Sequence, residues 1–104
     1  MSLKLQPNPT FTANVELSVP GQDKPARVAV TFKHLSKNKI KDYFANLEGK
    51  TDAEALGEVI TGWDGIDEKF SLEALAELLD NYPTAAGELF ESFRSNLMES
   101  RRKN

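Results

Sequence analysis

The 104-residue sequence has no cysteine and only one histidine, His34. Without cysteine the chain cannot form a disulfide, a thiolate zinc site or a cysteine nucleophile. A single histidine excludes a multi-histidine metal site and makes a Ser-His-Asp triad hard to build. A glycine-rich phosphate loop and a nucleophile elbow are missing as well. These absences predict a protein that is not an enzyme, with no catalytic residue, no metal and no cofactor.

Long apolar runs and an excess of basic charge are also lacking. The apolar runs are too short to span a membrane, and residues 1–10 lack the apolar core of a signal peptide. The net charge of −3 argues against a general nucleic-acid-binding protein. We therefore expect a small cytoplasmic protein that binds neither membranes nor nucleic acid.

The small net charge hides two oppositely charged halves. Residues 1–50 carry eight Lys or Arg against four Asp or Glu, a balance of +4. Residues 51–104 carry five against twelve, a balance of −7. Such a split is found in two solvated faces of one domain and also in surfaces that meet when copies associate. It motivates the hypothesis of a homo-oligomer arranged head to tail.

Two segments alternate apolar and polar residues with the period of a half-buried strand, residues 11–19 and 26–35. Residues 20–25 between them are rich in turn formers, so the sequence predicts a β-hairpin over 11–35. An isolated hairpin is barely stable in water, and helices or another subunit must therefore cover its apolar face. The preceding residues 1–10 contain two prolines, and we expect them to form a flexible arm.

Helix-starting signals follow the hairpin. Ser36 is a predicted N-cap for a helix that runs to about Glu48, with Gly49 as its terminator. Thr51 and Glu54 form a capping box, and the helix that they begin is expected to stop near Gly62. The residues that follow it are expected to form a turn around the only tryptophan.

Two further helices complete the predicted fold. One is capped by Ser71 and ends before Pro83, and the last begins at Pro83 or Thr84 and ends near Arg101. Basic residues suit the C-terminus of this last helix. The third helix is expected to bury a stripe of apolar residues at Leu72, Leu75, Leu78 and Leu79. The fourth has one at Ala86, Leu89, Phe90, Phe93, Leu97 and Met98.

The patterns together predict an α+β fold, an N-terminal β-hairpin followed by a bundle of about four helices. Residues 1–10 are the arm, and residues 11–104 form a single domain with the hairpin at 11–35 and the helices at 36–102.

Aromatic residues are the candidates for contact with a partner. Trp63 leads them, since tryptophan buries a large area and is enriched at the centres of interfaces. Phe90 and Phe93 come next, with Tyr43 and Tyr82 behind them. Each of the five is equally compatible with a place in the core, where the tryptophan would fill the gap between the second and third helices.

A family resemblance rests on the order of four segments that follow the basic N-terminal half of the chain. They are Gly62-Trp63-Asp64-Gly65, Phe70-Ser71-Leu72-Glu73-Ala74-Leu75, Leu78-Leu79-Asp80-Asn81-Tyr82-Pro83 and Arg101-Arg102-Lys103-Asn104. The sequence from about residue 28 to the end, most densely over 60–104, resembles the tail assembly chaperones of long-tailed bacteriophages (siphophages), especially the small chaperones of lambdoid-type phages.

The resemblance implies a function. Such chaperones bind the long, aggregation-prone tape-measure protein and keep it soluble while tail tube subunits polymerise around it, and they are absent from the mature virion. In many phages a programmed frameshift adds an extension that recruits the tail tube protein, and this chain would then be the short form. The resemblance therefore implies tape-measure and tail tube proteins as partners and the cytoplasm of the bacterial host as the location.

A second interpretation is a small acidic regulatory or inhibitory protein, for example a mimic that blocks a DNA-binding partner. The balance of −7 in residues 51–104 motivates it. These acidic residues are interleaved with apolar positions and do not form a phosphate-like row, which favours the chaperone interpretation.

Overall fold

The computed structural model describes residues 2–99 and confirms the α+β fold. Its elements comprise an antiparallel sheet of three strands and four helices. In chain order they are β1 (Thr10–Leu17), β2 (Ala26–Lys33), α1 (Lys37–Ala45), α2 (Asp52–Gly57), β3 (Ile60–Asp64), α3 (Leu72–Asn81) and α4 (Ala85–Met98).

The predicted hairpin is present. Strands β1 and β2 pair antiparallel from Thr10 opposite Lys33 to Leu17 opposite Ala26. The period of two places one row of apolar side chains on the face that the helices cover. The buried members of this row are Ala13, Val15, Leu17, Val28, Val30 and Phe32.

The third strand was not predicted. The expected second helix, running to Gly62, is wrong because α2 ends at Gly57 and the chain then enters β3. Residues 59–63 are rich in β-branched and aromatic side chains, and the open edge of β2 offers them backbone partners. The register of this pairing shifts between Thr31 and Phe32. Trp63 therefore lies in an edge strand opposite Val30, and the expected turn around it is also wrong.

The predicted helix starts are correct, whereas the predicted end of the first helix, like that of the second, is wrong. The Ser36 and Ser71 side chains cap their helices, and both hydrogen bonds of the capping box that Thr51 begins are present. Helix α1 stops at Ala45, before the expected Glu48, because the Asn46 side chain donates to the carbonyl of Asp42 (Nδ2–O 2.8 Å). Gly49, with φ of +86°, lies in the turn that follows and does not terminate the helix directly.

Helix α4 lies across the sheet and closes the core. Phe93 is fully buried, and its ring lies 5.2 Å from that of Phe32 and 6.4 Å from that of Phe11, measured between centroids. The Tyr43 ring approaches Phe93 from α1 at 5.9 Å. This aromatic cluster joins both hairpin strands to two helices.

The apolar stripes of α3 and α4 are only partly buried. Leu75 is fully buried, but Leu72 is 62% exposed because it begins α3 and its side chain lies over Gly57. Met98 is 56% exposed. It follows Phe93 by five residues, which rotates it by about 140° from the buried face of the helix. The expected burial of Leu72 is therefore wrong, and Met98 lies away from the buried part of the apolar face of α4.

The two ends of the chain lie outside the packed sheet and helices or outside the described residues. Residues 2–9 are exposed and outside every helix and strand, and Thr10 already belongs to β1. The predicted basic helix end of Arg101, Arg102 and Lys103 lies outside the described residues. Within residues 2–99, none of the helices combines the length and the apolar character needed to cross a bilayer.

Candidate partner-binding grooves

Two of the five aromatic candidates are buried. Phe93 is fully enclosed, and Tyr43 is 8% exposed. The Tyr43 hydroxyl donates a hydrogen bond to the carbonyl of Ala55 (2.7 Å). Burial, with a smaller contribution from the nearby Glu58 carboxylate, raises the pKa of Tyr43 to about 12. Phe93 therefore supports the surface above it, and Tyr43 is mostly buried with it beneath Phe44.

The first groove, here called the Phe90 groove, lies between α4 and the segment that contains α1 and α2. Its cavity volume is about 380 Å³. Phe90 and the 37% exposed Phe44 supply its aromatic surface. The Phe44 ring packs edge-on against Tyr43 at 5.2 Å, so the buried cluster fixes the wall of the groove.

Charges of both signs line the Phe90 groove, among them Lys50 and Asp52. Arg94 at its edge bonds Glu91 (Nη2–Oε2 2.7 Å) and Glu99 (Nη1–Oε2 3.0 Å). These hydrogen bonds raise the pKa of the guanidinium, and the bond from Arg94 lowers the pKa of the Glu91 carboxyl. The rim is therefore an ion-pair network around an apolar centre.

The second groove, here called the Trp63 groove, lies between α3 and the end of the sheet where the β1–β2 turn is. Its volume is also about 380 Å³, and its apolar surface includes Trp63 and Tyr82. Three acidic residues, Asp67, Glu68 and Glu77, line it. Within the part of the chain that the structure describes, no lysine or arginine lines this groove, so its rim is negative.

Trp63 is held firmly in this groove. Its indole nitrogen donates to the carbonyl of Glu68 (2.7 Å), and its ring meets Phe70 edge-on at 5.1 Å. The following turn passes close to β2, because a Cβ on Gly65 (φ +99°) would lie 3.3 Å from the carbonyl oxygen of Arg27. Only glycine adopts this conformation readily.

The grooves offer apolar contact and charge. The buried side chains of residues 2–99 are all hydrophobic, and no three His, Cys, Asp or Glu residues in that range are grouped to hold a metal ion.

The structure divides the predicted site residues between two places. Phe90 lines one groove with Phe93 and Tyr43 beneath it, and Trp63 and Tyr82 line the other. Phe44 was missed, and its position next to Tyr43 on a short helix gave no signal of exposure. The grooves themselves arise from contacts between elements far apart in sequence, and periodicity cannot reveal them.

A family model described as phage tail assembly chaperone matches residues 1–104. The chain belongs to this family. Membership confirms the resemblance seen in the sequence, and it indicates a non-enzymatic role in tail assembly with tail proteins as partners. A match to this tail assembly chaperone was found neither among curated proteins nor among solved structures.

Proposed function

We propose that this tail assembly chaperone binds the tape-measure protein and keeps it soluble while the tail tube assembles. Membership of the family carries the proposal. The Phe90 groove supports it, since an open apolar groove between helices accepts the apolar stripe of a partner helix. The client is therefore a helical segment of the tape-measure protein, held without chemical change.

Phe44 and Phe90 are the proposed anchors of the client helix. They are aromatic, they lie at the groove surface, and a rigid core supports them. Hot-spot residues at interfaces are enriched in such packed aromatic side chains. The mixed charges of the rim suit a helix that carries Lys and Glu on either side of its apolar stripe.

The place of the protein in assembly follows from the same proposal. It acts in the cytoplasm of the bacterial host as a homo-oligomer and is released before the virion is complete. A frameshifted longer product carries an extension after residue 104 that recruits the tail tube protein. Mass spectrometry of infected or induced cells tests this part: a peptide that spans residue 104 into the −1 reading frame is expected, and a search that covers this region without finding it contradicts the frameshift.

Co-expression with a fragment of the tape-measure protein tests the client. We expect the fragment to stay in the soluble fraction with the wild-type chain and to precipitate with Phe44→Ser/Phe90→Ser, because the apolar anchors are gone. Leu72→Ser is the matched control, since it removes an exposed leucine outside both grooves. Circular dichroism must show that each variant is folded.

Two results would overturn the proposal. One is a fragment that precipitates in the presence of the wild-type chain. The other is a folded Phe44→Ser/Phe90→Ser variant that holds the fragment as well as the control does, which would place the client elsewhere.

A further inference from the structure

We propose that the arm formed by residues 2–8 of one copy binds in the Trp63 groove of a second copy, so that the chains associate head to tail. The proposal concerns a different groove from the one assigned to the client, and it does not depend on which client is bound. Three observations support it. The leucines of the arm are exposed, the rim of the groove is acidic, and the arm and the groove lie at opposite ends of β1.

The arm presents two large apolar side chains to water. Leu3 is 97% exposed and Leu5 is 98% exposed, more than any other large hydrophobic residue described. Lys4 lies between them and carries a positive charge. Burial of two leucine side chains is a strong driving force for docking. The arm is therefore a short apolar ligand with a positive charge.

The Trp63 groove complements this ligand. Its centre is apolar, and Asp67, Glu68 and Glu77 surround it without a lining cation in the described chain. Within residues 2–99 the Lys4 ammonium bonds only the Asn8 amide oxygen (2.6 Å) and has no carboxylate partner. In the neighbouring groove it would exchange this neutral acceptor for a carboxylate, which gives a stronger, charge-assisted hydrogen bond.

The geometry favours a second copy over the arm's own groove. The arm leaves the sheet at Thr10, whereas the groove lies at the other end of β1, beside Leu17. Seven residue steps separate these ends, about 23 Å at the rise of a strand. The arm would have to fold back fully extended along its own strand to reach that groove. A second copy imposes no such constraint.

A contact between different surfaces of identical chains has a consequence for assembly. Each copy offers one arm and one groove, so the contact repeats from copy to copy and gives a ring or an open spiral. Such an arrangement could coat a long helical client while every Phe90 groove stays free. Residues Trp63 and Tyr82 then contact the next copy, while Phe90 contacts the client.

Sedimentation equilibrium over a wide concentration range tests the contact. The wild-type chain is expected to gain mass with concentration, and Leu3→Ser/Leu5→Ser to weaken association on the order of tenfold or more. Glu77→Lys, an exposed change in the groove, should weaken it as well. Leu72→Ser is again the control and should associate like the wild-type chain. Thermal unfolding confirms that all variants are folded.

Mixing the two defective variants is the decisive experiment. Leu3→Ser/Leu5→Ser keeps an intact groove, and Glu77→Lys keeps an intact arm. Together they should form a dimer of one copy each and nothing larger, because only one arm and one groove in the mixture are functional.

The proposal is wrong if the wild-type chain stays monomeric at every concentration. It is also wrong if Leu3→Ser/Leu5→Ser associates as the wild-type chain does, or if the mixture contains no heterodimer. A monomeric wild-type chain whose Trp63 fluorescence changes in Leu3→Ser/Leu5→Ser would show that the arm occupies its own groove.

Discussion

Phe93 shows how a residue that looks like a contact site becomes a structural one. Its ring is fully buried against Phe11, Phe32 and Tyr43. The same aromatic residue at a surface would be an interface anchor, and the two cases are indistinguishable in one sequence. Only its position on the buried face of α4 assigns it to the core.

We expect Phe93→Ala to lower the free energy of unfolding by about 3–5 kcal/mol, because it removes apolar contacts and leaves a cavity. Urea denaturation followed by circular dichroism measures the change. Phe93→Leu is the control and should cost much less, since it keeps most of the volume. A Phe93→Ala variant of nearly wild-type stability would show that the ring does not hold the core together.

Tyr43 links stability to alkaline pH. Its pKa is raised from 10.0 to about 12 by burial and by Glu58, so between these values the unfolded chain loses the phenolic proton while the folded chain keeps it. The free energy of unfolding should therefore be unaffected below about pH 10 and fall as the pH rises to about 12, by on the order of 1–2 kcal/mol.

Urea denaturation at several alkaline pH values checks this dependence. Tyr43→Phe is the control, since it removes the phenolic hydroxyl and leaves every other ionisable group in place. It should have a shallower fall of stability between pH 10 and 12, and a lower stability at neutral pH because the Ala55 carbonyl loses its donor. Equal slopes for both proteins would contradict the assignment.

At the scale of elements, α2 is the shortest helix within residues 2–99. It has six residues, too few to be stable alone, and its capping box and the burial of Ala55 and Leu56 hold it in place. Its cap matters more than usual, because the strand that follows is also short.

We expect Thr51→Ala to destabilise the protein by about 1 kcal/mol, the usual cost of losing an N-cap side chain. Chemical denaturation measures it, and Thr51→Ser should retain most of the stability because its hydroxyl occupies the same place. If Thr51→Ala were neutral, water would be replacing the cap, and packing alone would hold α2.

At the scale of the whole molecule, the structure shows where charges of the basic and acidic halves lie on the surface. Lys4 lies on the arm in the basic half, and the carboxylates that line the Trp63 groove lie in the acidic half. The proposed contact therefore pairs one half with the other between copies. The charge difference of +4 against −7 between the two halves would then contribute to the attraction between copies.

Salt should weaken the association, since the attraction of exposed charges is screened within about 10 Å at 0.1 M. We expect the mean mass measured by light scattering to fall between low and high salt, although the leucine contacts persist. Leu3→Ser/Leu5→Ser, as a monomer, should show no such change. An oligomer whose mass is the same at both salt concentrations would exclude the electrostatic contribution.

Much of the fold follows from local patterns. The period of two over 11–19 and 26–35 predicts the hairpin because side chains alternate between sheet faces, whatever covers them. The capping side chains of Ser36, Thr51 and Ser71 predict helix starts because their hydrogen bonds are local. Family membership was recognisable for the same reason, from the order of short segments.

Tertiary structure decided the conformation of segments whose local sequence signals conflict or are missing. Residues 60–64 follow the helix that a capping box begins, yet they form a strand, because the open edge of β2 supplies backbone partners from about thirty residues away. The same long-range packing buries Phe93 and Tyr43 and leaves Phe44 and Leu72 at the surface. By itself the sequence determined the fold class, most of the element starts and the family. Which aromatic residues reach a partner depends on how distant elements pack, and that is a property of the tertiary structure alone.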